Sequence, residues 1–337
     1  MKKWIATVLS MIMLTGALSA CTNAGEASSS LSSTVSQQES VASEESKTSS
    51  VESVSTEEES VWPRTILDAA GNEVVLEKKP ERVSLVHIVY LEHLLALGAP
   101  PTAAALGNAQ GDVEALEQSE LLSPYLKDTE IAMLGNSKNL SVEAVLESQP
   151  DVIVTFYNPA GFDQYEQLAE IAPVIQISYT DTWQDQLRVC AQVLGLEEKA
   201  ETLIADTEKK IEETKTTLAP YADKTFALFR TDGKSFIAQG MSQFYTAFGI
   251  TKPEGFTDKA DSLSLETVAE MNPDYIVFQH NYEVAKAFVD SMESNSVWQA
   301  LDAVKNGQVY YFDENMNSYG PLSMNLGADK IVEIYTK

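Results

Sequence analysis

The chain has 337 residues, 44% of them hydrophobic, with 23 basic against 50 acidic side chains and a formal charge of −27. So acidic a chain, with a pI near 4.4, offers no basic footprint for nucleic acid and no basic patch for anionic lipid. Its length allows one large or two medium domains with full hydrophobic cores, and charge favours solubility without deciding the fold.

In chain order, Lys2 and Lys3 precede an uncharged run from Trp4 to Leu18. That run is short for a bilayer span and has the shape of a signal-peptide core. It ends in Leu18-Ser19-Ala20-Cys21, which resembles the lipobox of bacterial lipoproteins. The resemblance implies cleavage before Cys21 and a diacylglyceryl group on its thiol. Only Cys190 would then remain, leaving the mature chain without a disulfide. From Thr22 to about Ser60, Ser, Thr, Glu and Gln dominate and the apolar residues show no period. Such a segment cannot offset its ordering entropy by burial. It reads as a disordered tether about 35 Å from end to end.

The folded part opens with TILDAAGNEVVL, a predicted hairpin turning at Ala70-Gly71-Asn72. A strand over Arg82–Val86 leads through a loop to a helix that closes at Gly98. Further strands are predicted at Ala103–Leu106, Ile131–Met133, Val152–Phe156 and Val174–Ile177, with helical patterns between them. This alternation is the signature of α/β layering. Asp181 to Leu218 reads as helical with a break at Gly195. Trp183, Leu187, Cys190 and Leu194 share one face, making Cys190 a small core residue. Ala200, Leu203, Ile204, Ile211 and Leu218 form a stripe along a helix of roughly 33 Å, a stiff connection between two halves. Strands at Thr225–Arg230, Ser235–Ala238, Tyr275–Gln279 and Val309–Phe312 repeat the alternation, and a last helix spans Leu322 to Tyr335. The resulting division is a signal at 1–20, a tether at 21–60, an α/β lobe at 61–180, a helical link at 181–219 and a second α/β lobe at 220–337.

One stretch occurs twice. SVEAVLESQPDVIVTFYN at 141–158 and SLETVAEMNPDYIVFQHN at 264–281 coincide at nine of eighteen positions. In each, a Ser (Ser141, Ser264) is placed to cap a helix. A Glu (Glu143, Glu266) sits in the first turn, where the helix dipole favours negative charge. Pro150 and Pro273 stop the helix, and a β-branched run follows Asp151 or Asp274. One helix–Pro–Asp–strand unit per half predicts a two-lobed protein with a ligand cleft between Rossmann-like α/β lobes.

Ligands of open α/β sheets sit beyond the carboxyl ends of strands. That rule nominates His87, Tyr90, Asn108, Tyr157 and Asn158 in the first lobe, with Lys138 from the loop GNSKN. In the second it nominates Arg230, His280 and Asn281, the stretch Gln239 to Gln243, and Tyr319. Arg230 is the only Arg of that lobe and suits anionic oxygens. His93 lies inside a helix and receives no role. No GxSxG, P-loop, GxGxxG or HExxH pattern occurs, so no catalytic residue is assigned and an enzyme is disfavoured. No clustered His/Asp/Glu set offers a site for a bare metal ion.

LDAAGNEV, KPERV, EHLLALGA, IAPVI, WQALDAVKNGQVY and YGPLS, together with the two repeat copies, run in order from about residue 64 to 335. In order and spacing they are similar to the iron–siderophore-binding lipoproteins that feed ABC importers. The resemblance implies two α/β lobes joined by one long helix, with a shallow cleft holding a ferric siderophore. The chelator fills the iron's coordination sphere, so neither a protein metal ligand nor a permanently bound cofactor is implied. The implied setting is a lipid-anchored monomer outside the cytoplasm. Its implied partner is a permease dimer, whose arginines pair with Glu143 and Glu266. A haem or corrinoid carrier on the same fold is the second reading. Haem would need an axial His, Met or Tyr, which His280, His87 or a cleft Tyr could supply. The scarcity of cationic groups leans toward a hydroxamate or citrate chelator over a triscatecholate.

Overall fold

The computed structural model describes residues 62–106, 116, 118–127, 129–136, 139–160 and 164–337. Cys21, the Ser/Glu-rich stretch, Asn108 and Lys138 lie outside the described residues. The chain enters through an antiparallel hairpin of β1 (Arg64–Leu67) and β2 (Glu73–Leu76), with Arg64 opposite Leu76. Asp68 builds the turn by accepting bonds at Oδ1 from the Ala70 and Asn72 N–H groups, at 3.0 and 2.8 Å. Gly71 supplies the positive φ of +85° that a side chain would resist.

The first sheet contains β3 (Val83–Leu85), β4 (Ala103–Ala104), β5 (Ala132–Met133), β8 (Val152–Tyr157) and β9 (Val174–Ser178). They lie in the order β5-β4-β3-β8-β9, all parallel. β6 (Gly135–Asn136) and β7 (Asn139–Leu140) form a small antiparallel ribbon beside it. Val152 to Thr155 are all buried, which explains a continuous apolar run rather than an alternating one: helices cover both faces of a parallel sheet.

The second sheet contains β10 (Phe226–Thr231), β11 (Phe236–Ala238), β12 (Ser262–Leu263), β13 (Tyr275–Gln279) and β14 (Val309–Phe312), in the order β12-β11-β10-β13-β14. β10, β13 and β14 are parallel, whereas β11 runs antiparallel to both β10 and β12. The second lobe therefore departs from the expected repeat of alternating strands and helices. The cause is local: Asp232 Oδ1 accepts bonds from the Lys234 and Ser235 N–H groups at 2.9 and 2.8 Å. Gly233 between them takes φ +82°. That turn is too short for a crossover helix and forces a hairpin.

The repeated unit does the same physical work in both sheets. Ser141 and Ser264 accept bonds from the Ala144 and Thr267 N–H groups, capping the helices Val142–Glu147 and Leu265–Met271. Asp151 then accepts from the Glu81 and Arg82 N–H groups at 2.9 and 3.0 Å, at the entrance to β3. Asp274 accepts from the Thr225 N–H and hydroxyl at 2.8 and 2.9 Å, at the entrance to β10. Each Asp thus staples its own strand to the central strand beside it.

Between the sheets run the helices Trp183–Leu194, ended by Gly195 at φ +67°, and Glu197–Leu218, 22 residues long. Cys190 is buried beside Trp183, Leu187 and Leu194 in the core. The 16-residue helix Pro321–Thr336 packs on Glu197–Leu218 and on the helix Leu91–Ala96 of the first lobe. Asn325 Nδ2 donates to Thr207 Oγ1 at 3.0 Å, and Lys210 pairs with Asp329 at 2.7 Å. The described residues belong to one compact unit, and one hydrophobic core continues through both lobes.

The long helix is therefore not the only join. Glu92, 1% exposed, reaches from the first lobe to the start of Pro321–Thr336. There its carboxyl accepts from the Ser323 N–H at 2.8 Å, from the Ser323 hydroxyl at 3.0 Å and from the Gly320 N–H. Gly320 is required at this approach, since a Cβ there would lie 2.6 Å from the carboxyl.

Candidate functional site between the lobes

In each sheet the central strand and its parallel neighbour carry connections that leave in opposite directions. The crevice at their carboxyl ends is the natural ligand position. In the first lobe those ends belong to β3 and β8, and they deliver His87, Tyr157 and Asn158. His87 starts the short turn Ile88–Tyr90, its Nδ1 accepting from the Val89 N–H at 3.3 Å. Its ring meets Phe156 edge-on at 4.9 Å, and burial lowers its pKa, which favours the neutral imidazole. A cavity of about 700 Å³ opens here, lined by His87, Phe156, Tyr157, Asn158, Tyr179 and Asp181.

In the second lobe β10 and β13 deliver Arg230 and His280. A cavity of about 530 Å³ is lined by His280, Tyr282, Glu283, Tyr311, Asp313 and Glu314, closed on one side by Gln118 to Glu120 of the first lobe. Burial lowers the His280 pKa, and the neighbouring Arg230 charge lowers it further. Among the described residues His280 Nδ1 is buried without a hydrogen-bond partner, and it lies 3.9 Å from Glu314 Oε2. Burial raises the Glu314 carboxyl; Asp313 adds to this, while Arg230 and a bond from the Asn281 N–H oppose it. Arg230 itself is half-buried, and its guanidinium makes no hydrogen bond or ion pair among the described residues.

Tyr319 is not among the residues that line either cavity, but it lies within electrostatic reach of Tyr179 in the first lobe and Arg230 in the second. Its ring stands edge-on to Phe244 at 5.3 Å, and burial raises its hydroxyl pKa, with Tyr179 and Arg230 as electrostatic neighbours. Tyr179 is 63% exposed on the rim of the first cavity. The lobes also touch directly. Asp313 Oδ2 accepts from the Ser119 hydroxyl at 2.5 Å and from the Leu121 N–H at 3.1 Å, while Lys330 pairs with Glu120 at 2.7 Å.

Two nominated residues fall elsewhere. Tyr90 is fully buried, its hydroxyl donating to the Ile177 carbonyl at 2.9 Å. It is a core pillar: the turn after His87 swings it under the sheet and away from the cleft. Gln243 is exposed at the start of the helix Gln243–Phe248. It lies on a separate depression beside Glu208 and Glu212. Glu314, Tyr179, Tyr282 and Tyr311 were missed. Tyr179 and Glu314 follow the ends of β9 and β14, so the strand-end rule covered them had it been applied to the outer strands. His93 is fully buried and its pKa falls to about 4, as burial disfavours the cation.

A two-lobed α/β body with paired strand-end crevices is the architecture of a solute-binding protein. The family model for periplasmic binding proteins matches residues 83–316, and the chain belongs to that family, one of binding proteins and not of enzymes. Among its relatives is the iron(3+)-hydroxamate-binding protein YxeB of Bacillus subtilis (strain 168), 27% identical over 297 residues, which cover 81% of this chain and 85% of the relative. The iron(3+)-hydroxamate-binding protein FhuD of the same organism is 28% identical over 285 residues, covering 80% and 85%. Among solved structures, the iron-uptake system-binding protein FeuA of Bacillus subtilis superposes with a TM-score of 0.67 at 21% identity, over 80% of this chain and 99% of FeuA. Staphylococcus aureus SirA, complexed with staphyloferrin B, does so with 0.64 at 21% identity, over 81% and 98%. These superpositions establish the two-lobed α/β fold. No helix of the described residues is long and apolar enough to cross a membrane.

Proposed function

We propose that this protein captures a ferric siderophore outside the cytoplasm and delivers it to the permease of an ABC importer. The observation that carries this reading is the pair of strand-end crevices, at β3/β8 and β10/β13, within a family whose members here are named for ferric chelates. YxeB and FhuD are named for iron(3+)-hydroxamate, and another relative for Fe(3+)-citrate. Exposed Tyr179 and Tyr282 beside half-buried His87, His280 and Arg230 suit a bulky organic chelate that meets the protein through rings and a few polar groups. Among the described residues no three His, Cys, Asp or Glu side chains converge for a bare metal ion. On this reading the iron travels as cargo inside its chelator. Titrating the protein with ferric siderophores, haemin and a corrinoid, read by quenching of Trp and Tyr fluorescence, tests this. Saturable binding of a ferric siderophore is expected, and binding of haemin or corrinoid alone overturns it.

The docking residues are Glu143 and Glu266. Both are exposed in the first turns of matching helices, each leading to the strand beside the centre of its sheet. One acid per lobe suits a permease dimer with a cationic residue in each half. Glu143→Ala with Glu266→Ala leaves ligand affinity intact and lowers uptake, and reversal to Lys lowers it further through like-charge repulsion. Normal uptake by the double variant at matched protein level would return both residues to helix-start chemistry alone.

The reading also places residues 1–20 as a removed signal, Cys21 as the lipidated anchor and 21–60 as the tether of a monomer. The lobes are 61–180 and 220–337, linked by 181–219. Cys21→Ala should abolish labelling by radioactive palmitate, and undiminished labelling rules the anchor out.

A further inference from the structure

We infer that the folded body meets its permease with the cleft end while its chain is rooted at the opposite end, so that the stretch between Cys21 and Trp62 is a spacer whose length decides docking. This rests on the anchor and docking readings above and supplies the geometry between them.

Trp62 and Arg64 fix the root at the elbow between the helices Trp183–Leu194 and Glu197–Leu218. Arg64 donates to the Gln192 carbonyl at 2.6 Å and to Glu197 at 2.5 Å, and its guanidinium lies 4.2 Å from the centre of the Trp62 ring. A Cβ on Gly195, in the elbow itself, would lie 3.4 Å from Trp62. Three observations put this elbow at the end away from the cleft. The helix Trp183–Leu194 starts just after Thr180 and Asp181, which line the first cavity, and its 12 residues carry the chain about 18 Å away. β1 runs in the other sense, from Arg64 toward Ala69, which lines that same cavity. Just past the elbow, Lys199 donates to the Leu97 carbonyl at 2.8 Å, where the helix Leu91–Ala96 has returned from the carboxyl end of β3 toward the amino end of β4.

Glu143 and Glu266 lie at the other end. In the first lobe the helix Val142–Glu147 runs against the direction of β8. Just past its last turn, Ser148 shares a 2.9 Å hydroxyl bond with Ser84 and accepts at its carbonyl from Arg82 at 3.0 Å, beside the entrance to β3. Its start lies by Gln164, which follows the carboxyl end of β8 and donates to the Leu140 carbonyl at 3.3 Å. In the second lobe Leu263 pairs with Phe236, itself opposite Thr231 at the carboxyl end of β10. The helix Leu265–Met271 then leads back to Asp274 at the entrance to that strand. Each acid therefore stands, one per lobe, at the strand-end side where the cavities open.

A permease presents its outer face at the membrane, so docking turns the cleft end toward the bilayer and the root away from it. A lipid on Cys21 must sit in that same bilayer. The chain between them has to run back past the body. A compact body of about 275 residues has a radius of gyration near 19 Å and is therefore about 48 Å across. The roughly 40 residues between Cys21 and Trp62 reach up to about 140 Å when fully extended, which covers that path with slack for the body to turn over. A stretch of about five residues reaches no more than about 18 Å. That would hold the root against the membrane and the cleft end away from the permease.

The experiment uses the full chain in the cells that make it. The photo-crosslinker benzoylphenylalanine replaces Tyr179 or Tyr282 at the cleft end, and Glu77 or Lys79 beside the root. All four positions are exposed, and the last two follow Leu76, the strand partner of Arg64. Adducts are identified by mass spectrometry, and anchoring is read by radioactive palmitate. The cleft-end positions should give adducts with a permease subunit, and the root positions none. Shortening the stretch between Cys21 and Trp62 to about five residues should keep palmitate labelling and lower the cleft-end adduct yield at least about tenfold, since a linker too short to span two sites removes their effective concentration. A Gly/Ser stretch of the original length should restore the yield. Permease adducts from the root positions, full yield from the shortened chain, or no rescue by Gly/Ser each overturn the inference while the anchor and docking readings stand. A wild type without palmitate overturns the anchor reading, and permease adducts from no position overturn the docking reading; the inference falls with either.

Discussion

Arg230 and Glu92 are both charged groups taken out of water, and they spend that cost differently. Arg230 has no protein partner to lose among the described residues. Arg230→Ala should therefore change stability by no more than about 0.5 kcal/mol while weakening the ligand by roughly ten- to a hundredfold. Thermal melting and quenching titration on the same sample separate the two. Glu92 is the reverse case. Its carboxyl satisfies the Gly320 and Ser323 N–H groups at the start of Pro321–Thr336. Glu92→Ala leaves both buried donors unpaired and should cost about 2–4 kcal/mol, with Glu92→Gln costing less because one acceptor remains. Burial raises the folded pKa of this carboxyl. An acid whose folded pKa lies above its unfolded value binds protons more readily when folded, so its contribution is full at low pH and shrinks as pH rises. Urea titrations should show wild-type stability falling relative to Glu92→Gln as pH climbs from about 4 through the raised folded value. A difference that is flat with pH would show that the bonds to the carboxylate fully offset its burial.

At the scale of elements, the duplicated helix–Pro–Asp–strand unit earns its repetition through Asp151 and Asp274. Burial on its own would raise either carboxyl. Bonds from Glu81, Arg82 and Lys78 to Asp151, and from Thr225 and Lys224 to Asp274, outweigh it and lower both pKa values. A depressed folded pKa contributes stability above the ordinary aspartate value of about 3.9, lost as pH falls through the folded value. Asp151→Asn and Asp274→Asn should each cost about 1–3 kcal/mol at neutral pH and blunt the loss of stability in acid. Equilibrium unfolding at pH 7 and pH 3 checks both statements. Most of these elements were legible because their signals are local: a Ser cap, a stopping Pro, a positive-φ Gly. The hairpin of β10 and β11 escaped because a strand–turn–strand and a strand–crossover–strand share the same apolar runs. Only the tight Asp232–Ser235 turn separates them.

For the whole molecule, two lobes are held by more than a single link. The Glu197–Leu218 helix, the Pro321–Thr336 helix packed along it, the Glu92 cap and the Ser119–Asp313 contact all resist bending between the sheets. Closure on ligand should accordingly be small, and solution scattering should give nearly the same radius of gyration with and without ferric siderophore. A clear contraction would show that these contacts break on binding.

The sequence alone determined the layering, the two lobes, the long helix and the family, because periodicity and capping are written in neighbouring residues. It also located the strand ends, and with them His87, Tyr157, Asn158, Arg230 and His280. Tertiary structure alone decided which of the nominees share a surface. Tyr90 and His87 are three residues apart, yet the turn between them sends one into the core and leaves the other on the cleft. Glu92 meets Ser323, Ser119 meets Asp313, and Glu314 comes within 3.9 Å of His280 across long separations in the chain. Such pairings depend on how two sheets are set against shared helices, and no local pattern encodes that.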